Sequence, residues 1–89
     1  MKARRHPWSE RHIASHGVDW SEIDEALEPP TVGDWVQNGA LRVLGTTYEG
    51  RYLAILVSPD EGADTVFVIT ARDMDDDERR RFRTRGRKG

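Results

Sequence analysis

The stretch that decides the fold of this chain runs Tyr52-Leu53-Ala54-Ile55-Leu56-Val57. It is apolar on both faces, and so is the later stretch from Thr65 to Ala71, which predicts two central strands of a sheet. A turn-rich loop from Pro59 to Asp64 separates them. Because a loop this short joins neighbouring strands, we expect the two to be antiparallel.

Two weaker strand patterns precede this pair. Residues 32–37 form the first, and the second runs from Leu41 to Tyr48 with alternating apolar positions. Glu49-Gly50 supplies a tight turn into the strand from Arg51 to Ser58. The sequence therefore predicts about four antiparallel strands joined by hairpin connections.

Helical spacing fills the first third of the chain. Pro7 suits the first turn of a short helix, which ends where Gly17 can adopt the left-handed conformation. Asp19 can cap a second helix, with Glu22 three residues later as its reciprocal partner. Pro29-Pro30 stops this second helix. We expect a helical hairpin in front of the sheet.

A third helix is predicted after the last strand. Asp73 can cap it, acids fill its first turn and arginines follow, which complements the helix dipole at both ends. Met74 and Phe82 are its apolar anchors. The whole pattern predicts an α+β fold with two N-terminal helices, an antiparallel sheet of about four strands and a C-terminal helix.

Length and composition narrow the class of protein. At 89 residues the chain has room for one domain, 1–89, with residues 1–7 and 84–89 expected as flexible basic tails. The absence of cysteine excludes disulfides, thiolate metal sites and a cysteine nucleophile. No apolar run approaches the roughly 18 residues that span a bilayer, so we expect a cytoplasmic protein with no membrane partner.

Charge is strongly segregated along the chain despite a net charge of −2. Residues 1–12 and 79–89 are basic, whereas most acids lie between them, above all from Asp73 to Glu78. A basic segment can bind a polyanion locally even when the whole chain is acidic. The alternative interpretation is that the basic ends are solvated tails without a ligand.

Metal and phosphate-loop chemistry find little support in the residues. His12 and His16 share a helix face at a spacing that can bind zinc, but the glutamate that a zinc-protease helix places between them is missing. The sequence also has no glycine-rich phosphate loop and no serine-centred elbow. We predict no metal site and no cofactor, and on this pattern alone His16 is better explained as a helix cap.

The most informative stretch joins the last strand to the last helix. Residues 65–82 read TVFVITARDMDDDERRRF, which puts Arg72 at the end of the strand and Glu78 and Arg79 on the helix that follows. Two further motifs are Ser15-His16-Gly17-Val18 ahead of Trp20 and Glu22, and Leu44-Gly45 ahead of Gly50-Arg51. In this order the three motifs resemble the BrnT family of toxins from type II toxin–antitoxin modules.

This resemblance implies a RelE-like fold and a function. The implied function is that of a metal-independent endoribonuclease that cleaves mRNA and is neutralised by a cognate antitoxin, with a toxin–antitoxin hetero-oligomer as the assembly. The candidate site residues form two groups. The catalytic candidates are Arg72, His16, Glu78 and Arg51. The candidates for RNA binding are Arg79, Arg81 and Arg83.

Metal-independent RNA cleavage uses the 2′-hydroxyl of the substrate as nucleophile, so the protein must stabilise charge on phosphorus and move protons. We expect Arg72 to bind the phosphate, because a planar guanidinium contacts two oxygens at once and keeps its charge. Arg51 would join it if both lie on one face of the sheet. His16 suits proton transfer. Glu78 either acts as a base or orients Arg72 through a salt bridge.

Two sequence features favour a non-catalytic alternative. Phe82 stands where the family often has tyrosine, and the acids from Asp73 to Asp77 repel phosphate. The chain would then be an RNA-binding or protein-interaction module on the same fold, with a last helix that is ordered by its partner. Trp35, on the weak first strand, is the best candidate for base stacking among the tryptophans.

Overall fold

A computed structural model describes residues 1–60 and 64–85 of the chain. The elements in chain order are β1 (Lys2–Arg4), α1 (Pro7–Ala14), α2 (Trp20–Ala26), β2 (Val32–Trp35), β3 (Leu41–Thr46), β4 (Tyr52–Pro59), β5 (Thr65–Asp73) and α3 (Asp76–Arg85). A turn of 3-10 helix, Gln37–Gly39, separates β2 from β3. Residues 61–63 of the expected loop and 86–89 of the expected C-terminal tail lie outside the described residues.

The strands form one sheet in the order β1-β5-β4-β3-β2. The neighbours from β5 to β2 are antiparallel, as predicted, and the two apolar stretches occupy interior positions as β4 and β5. β1 adds a parallel strand beside β5. The α+β class is therefore confirmed, but the expectation of about four antiparallel strands is wrong, because the described sheet has five strands and is mixed.

The additional strand, β1, lies in the segment that was expected to be an N-terminal tail. Ala3 is buried and pairs with Val66, whereas Lys2 and Arg4 are exposed. A three-residue segment with one small apolar side chain carries no readable alternation. Only its pairing with β5 distinguishes it from a solvated basic tail.

The two N-terminal helices follow their sequence signals closely. Gly17 has a φ of 71°, and the amide of Val18 donates to the carbonyl of Ile13 at 3.1 Å, which ends α1 as predicted. The backbone N–H of Asp19 donates to the carboxylate of Glu22 at 3.0 Å, as expected for a capping box at the start of α2.

The helical hairpin covers the first face of the sheet, and α3 covers part of the second face. The fully buried side chains of the first face and the hairpin include Ile13, Val18, Ile23, Leu27, Val43, Leu53, Ile55, Val57 and Val68. On the second face Phe82 of α3 and Tyr52 pack against a smaller buried cluster that contains Met74. The segment from β5 to α3 therefore lies on the second face.

The close approach of α2 to β3 depends on Gly45. A Cβ atom at this position would overlap the carbonyl group of Ala26 in α2. Only glycine lets the helix backbone lie directly on the strand here. The contact fixes the height of α2 over the sheet, and Glu22 on the same helix contacts Arg51 beside β4.

α3 begins later than the sequence indicated. Asp73 belongs to β5 and pairs with Leu53, so its predicted role as the helix cap is wrong. Asp75 caps the helix instead. Its Oδ1 accepts from the N–H of Glu78 at 2.8 Å, and Oε1 of Glu78 accepts from the N–H of Asp75 at 3.0 Å. The acids from Asp73 onwards offer several possible caps in the sequence. Asp73 is excluded because it is part of the pairing of β5 with β4, and Asp75 takes the role.

The Gly45→Ala substitution tests the packing of the hairpin on the sheet. We expect it to lower the free energy of unfolding by about 1–3 kcal/mol, because an added methyl group in a packed core forces the backbone to shift. Chemical denaturation followed by circular dichroism measures the change. Gly33→Ala is the matched control, because a Cβ there meets Leu41 at an ordinary 3.4 Å. Equal stability of the two variants would contradict the packing role of Gly45.

Candidate nucleic-acid interface

The side chains of α3 leave the helix in different directions, because successive residues are about 100° apart around its axis. Phe82 points towards the sheet and meets the ring of Tyr52 edge-on, with 5.8 Å between the ring centroids. Glu78 and Arg81 lie on one flank of this contact, and Arg79 and Arg83 lie on the other. The structure therefore divides the predicted residues of this helix into two groups.

The first flank holds a network of ion pairs, which we call the Glu78 network. Arg72 donates to both carboxylate oxygens of Glu78, from Nη1 at 2.7 Å and from Nη2 at 3.0 Å. Nη1 of Arg42 lies 3.4 Å from Oε2 of Glu78 and its Nη2 donates to Asp34 at 2.9 Å. Arg81 donates to the same Asp34 carboxylate at 3.0 Å. These contacts connect α3 to β2, β3 and β5.

Burial makes Glu78 the centre of this network. Its side chain is 4% exposed, whereas that of Arg72 is 45% exposed. Burial alone raises the pKa of Glu78, but the hydrogen bonds from Arg72 and from the backbone of Asp75 bring that pKa below its ordinary value. The hydrogen bond to Glu78 raises the pKa of Arg72 in turn. Both groups are charged at neutral pH, and the pair is a structural connection between β5 and α3.

Arg72 also borders a small groove on the second face of the sheet. The groove has a volume of about 160 Å³ and is lined by Val36, Arg42, Ala54, Leu56, Thr70 and Arg72. Its wall is therefore partly apolar, with two guanidiniums at its side. The predicted salt bridge between Arg72 and Glu78 is present, and it leaves the Arg72 side chain partly exposed.

The second flank carries two exposed arginines over one aromatic ring. The Cζ atoms of Arg79 and Arg83 lie 5.0 and 5.5 Å from the centroid of Tyr52. Within residues 1–60 and 64–85, neither guanidinium forms an ion pair with a carboxylate. A cavity of about 280 Å³ adjoins this ring and is lined by Gly50, Arg51, Tyr52, Asp73, Met74 and Arg79.

Arg51 borders this cavity, but its own guanidinium is occupied. It donates to Asp73 at 2.7 Å, to Glu22 at 3.0 Å and to the carbonyl of Gly17 at 2.9 Å. The hydrogen bond from Arg51 lowers the pKa of Asp73. Arg51 thus connects the helical hairpin to the ends of β4 and β5.

The strand register separates Arg51 from Arg72. Arg72 pairs with Ala54, whereas Asp73, which binds Arg51, pairs with Leu53. Successive residues of a strand point to opposite faces, so the two arginine side chains lie on opposite faces of the sheet. Arg51 was expected to bind the same phosphate as Arg72 only if both lay on one face of the sheet, and they do not.

His16 lies in the exposed turn between α1 and α2. Its neighbour Gly17 accepts a hydrogen bond from Arg51, which places the turn beside Arg51 on the first face of the sheet. His16 is therefore not brought together with Arg72 and Glu78. The catalytic roles of His16, Arg72 and Glu78 stay predictions. Of the predicted site residues, Arg72, Glu78 and Arg81 lie together in the Glu78 network, and Arg79 and Arg83 lie together over Tyr52.

Three residues of these sites were not identified from the sequence. Tyr52 was interpreted only as part of a buried strand, and Arg42 and Asp34 as parts of weak strands. Strand alternation was a usable signal for Tyr52, because it places this residue on the same face as Ala54 and hence on that of Arg72. No sequence signal connected Asp34 with Arg81, which lies 47 positions later in the chain.

The described residues include neither a metal-binding cluster nor a membrane-spanning helix. Among the described residues, no group of three or more histidine, cysteine, aspartate or glutamate side chains is arranged to hold a metal ion. Within the same residues, no helix is long and apolar enough to cross a membrane. The side chains that distinguish the surface of the described residues are therefore those of arginine.

The fold and the site together define a small α+β domain with an arginine-bearing surface at the junction of its last strand and last helix. Comparisons of the chain with protein-family models, with curated proteins and with solved structures found no match. The resemblance to the BrnT family thus depends on the motifs in the sequence.

The Glu78→Gln substitution tests the centre of the Glu78 network. We expect a loss of about 2 kcal/mol in the free energy of unfolding at pH 7, because hydrogen bonds to a charged group contribute about 1.5–3 kcal/mol. The folded-state pKa of Glu78 is lowered, so its contribution is complete above about pH 5 and is lost as the pH falls further. Thermal unfolding between pH 3 and pH 7 should therefore show the two proteins converging in acid.

Asp77→Asn is the control for this measurement. Asp77 pairs with Arg80 at 2.9 Å on the exposed side of the same helix, where its side chain is 85% exposed. Surface ion pairs of this kind contribute about 0–1 kcal/mol, so little change is expected. A Glu78→Gln protein as stable as Asp77→Asn at pH 7 would show that the network does not hold α3.

Proposed function

We propose that this protein is a BrnT-like toxin that binds RNA through α3 and cleaves it without a metal ion, and that a cognate antitoxin neutralises it. The observation that carries the proposal is the pair of exposed guanidiniums, Arg79 and Arg83, which have no carboxylate partner within the described residues. The order of the sequence motifs supports the same interpretation.

The distribution of ion pairs gives this observation its weight. The chain has more acids than bases, so an exposed arginine has many possible partners. The arginines that do pair with carboxylates are Arg4, Arg5, Arg42, Arg51, Arg72, Arg80 and Arg81. Among the described residues Arg11, Arg79, Arg83 and Arg85 are outside that group, and Arg79 and Arg83 lie together over one ring. Exposed guanidiniums that are grouped on one surface attract phosphate groups.

Arg72 is the proposed residue for stabilising charge on the scissile phosphate. Its guanidinium is held in one orientation by Glu78, and 45% of its side chain is exposed beside the groove. A fixed guanidinium can contact a phosphate oxygen with N–H groups that do not face Glu78. In this proposal Glu78 orients Arg72, which is the second of the two roles considered for it.

A non-catalytic RNA-binding protein is the second candidate function. It is favoured by the separation of Arg51 and His16 from Arg72, because the carboxylate that does contact Arg72, that of Glu78, is buried and held by hydrogen bonds from Arg72. The ring of Phe82, where the family often has a tyrosine, packs on Tyr52 without a hydroxyl group. In the third candidate function, a protein-interaction module, α3 contacts a protein partner.

Expression of the chain alone in a bacterium tests the toxin proposal. We expect slower growth and fragmented transcripts, and we expect the double variant Arg79→Ala/Arg83→Ala to restore growth because it removes the exposed cations that contact RNA. Arg5→Ala/Arg11→Ala is the matched control, since it removes the same charge from the region of α1. Normal growth with intact transcripts, despite soluble protein, would count against a toxin.

A cleavage assay with purified protein and single-stranded RNA distinguishes the two candidates. The Arg72→Lys substitution keeps the charge beside Glu78 but removes the planar arrangement of donors. We expect it to lower the cleavage rate about tenfold or more, since hydrogen bonds to a charged group contribute about 1.5–3 kcal/mol. Salt-sensitive RNA binding without products from the unaltered chain would instead establish the non-catalytic function.

The antitoxin part of the proposal has a separate test. The product of a small adjacent gene should co-purify with the chain and should restore growth when both are expressed together. A neighbouring product that binds the chain but leaves RNA cleavage unchanged would contradict neutralisation, while leaving the RNA-directed function in place.

A further inference from the structure

We propose that Tyr52 holds Arg79 and Arg83 as a two-arginine clamp for a backbone phosphate of single-stranded RNA. This inference rests on the proposed RNA-binding function and names the residues that contact the ligand. Tyr52 acts here as a positioning residue, and the two guanidiniums are the contacting groups.

The geometry of α3 brings the two arginines together. They are four residues apart, so both side chains leave the helix on the same side. Their Cζ atoms lie 5.0 and 5.5 Å from the centroid of the same ring. The ring itself is fixed, because Tyr52 is a residue of β4 and meets the edge of Phe82. A rigid aromatic platform therefore restrains two otherwise flexible side chains.

Electrostatics explains why this arrangement is suited to an anion. Like charges four residues apart on a helix repel each other. The negative face of the tyrosine ring attracts both guanidiniums and so opposes this repulsion. A guanidinium over a ring keeps its N–H groups around its edge, where they can donate to phosphate oxygens. A phosphate between Arg79 and Arg83 would supply the missing counter-charge.

Nearby acids indicate the side from which RNA approaches. Asp73 borders the cavity beside Tyr52, where Arg51 binds its carboxylate at 2.7 Å and Arg79 also attracts it. Asp76 lines the outer side of the two arginines, where it shares a groove with Arg79 and Arg83. We therefore place the phosphate on the side of Tyr52 and the cavity rather than on the side of Asp76.

Binding of a labelled single-stranded oligoribonucleotide, measured by fluorescence anisotropy over a range of salt, tests the clamp. Arg79→Ala and Arg83→Ala should each weaken binding about tenfold and reduce the salt slope by about 0.7. Tyr52→Leu should weaken binding severalfold without a change in charge, and Tyr52→Phe, which keeps the ring, should bind like the unaltered chain. Arg80→Ala is the matched control, because Arg80 is paired with Asp77 on the outer side of α3.

The outcomes separate the clamp from the broader function. If the arginine variants lose affinity but Tyr52→Leu binds like Tyr52→Phe, the positioning role of Tyr52 is overturned and RNA binding stands. If the unaltered chain binds and Arg79→Ala and Arg83→Ala match Arg80→Ala, the clamp is overturned although the function survives. If the unaltered chain does not bind at low salt, both proposals fail. Circular dichroism verifies folding, and Tyr52→Val replaces Tyr52→Leu if the latter is unfolded.

Discussion

The buried carboxylate of Glu78 is the contact on which the position of α3 depends. Phe82 is the one large apolar side chain of this helix, and it packs, partly buried, against the buried cluster on the second face of the sheet. Glu78 supplies the remaining connection, because it binds Arg72 of β5 and approaches Arg42 of β3 while also completing the cap of its own helix. A buried carboxylate without these partners would be costly, so the network and the helix form together.

The contacts of Glu78 fix the rotation of α3 about its axis, and this rotation determines which residue each arginine of the helix contacts. With Glu78 turned towards the sheet, Arg81 reaches Asp34, while Arg79 and Arg83 come to lie over Tyr52. The acidic run before the helix is then largely engaged in structure: one acid pairs with Arg51, the next caps α3, and another pairs with Arg80. The acids beside the proposed RNA site are thus less repulsive than their number suggests.

Much of the fold could be predicted, because its signals are local. The left-handed Gly17, the Asp19–Glu22 cap and the two apolar strands are written in neighbouring residues, and the structure bears them out. β1 could not be recognised, because its single buried side chain, Ala3, has no periodicity. The site was predictable only in its residue types. Arg72 and Glu78 were paired correctly. Strand alternation separates Arg51 from Ala54, but only the register of β4 and β5 shows that Arg72 shares the face of Ala54.

The sequence by itself determined the α+β class, the order of the elements from α1 onwards and the arginine-rich character of the last helix, because these follow from periodicity, caps and charge within short stretches. The tertiary structure alone decided which arginines are bound by carboxylates and which, Arg79 and Arg83, face solvent over Tyr52. The physical reason is that ion pairing depends on distance in space. Asp34 and Arg81, or Glu22 and Arg51, become partners only when sheet register and helix rotation bring them within a few ångströms.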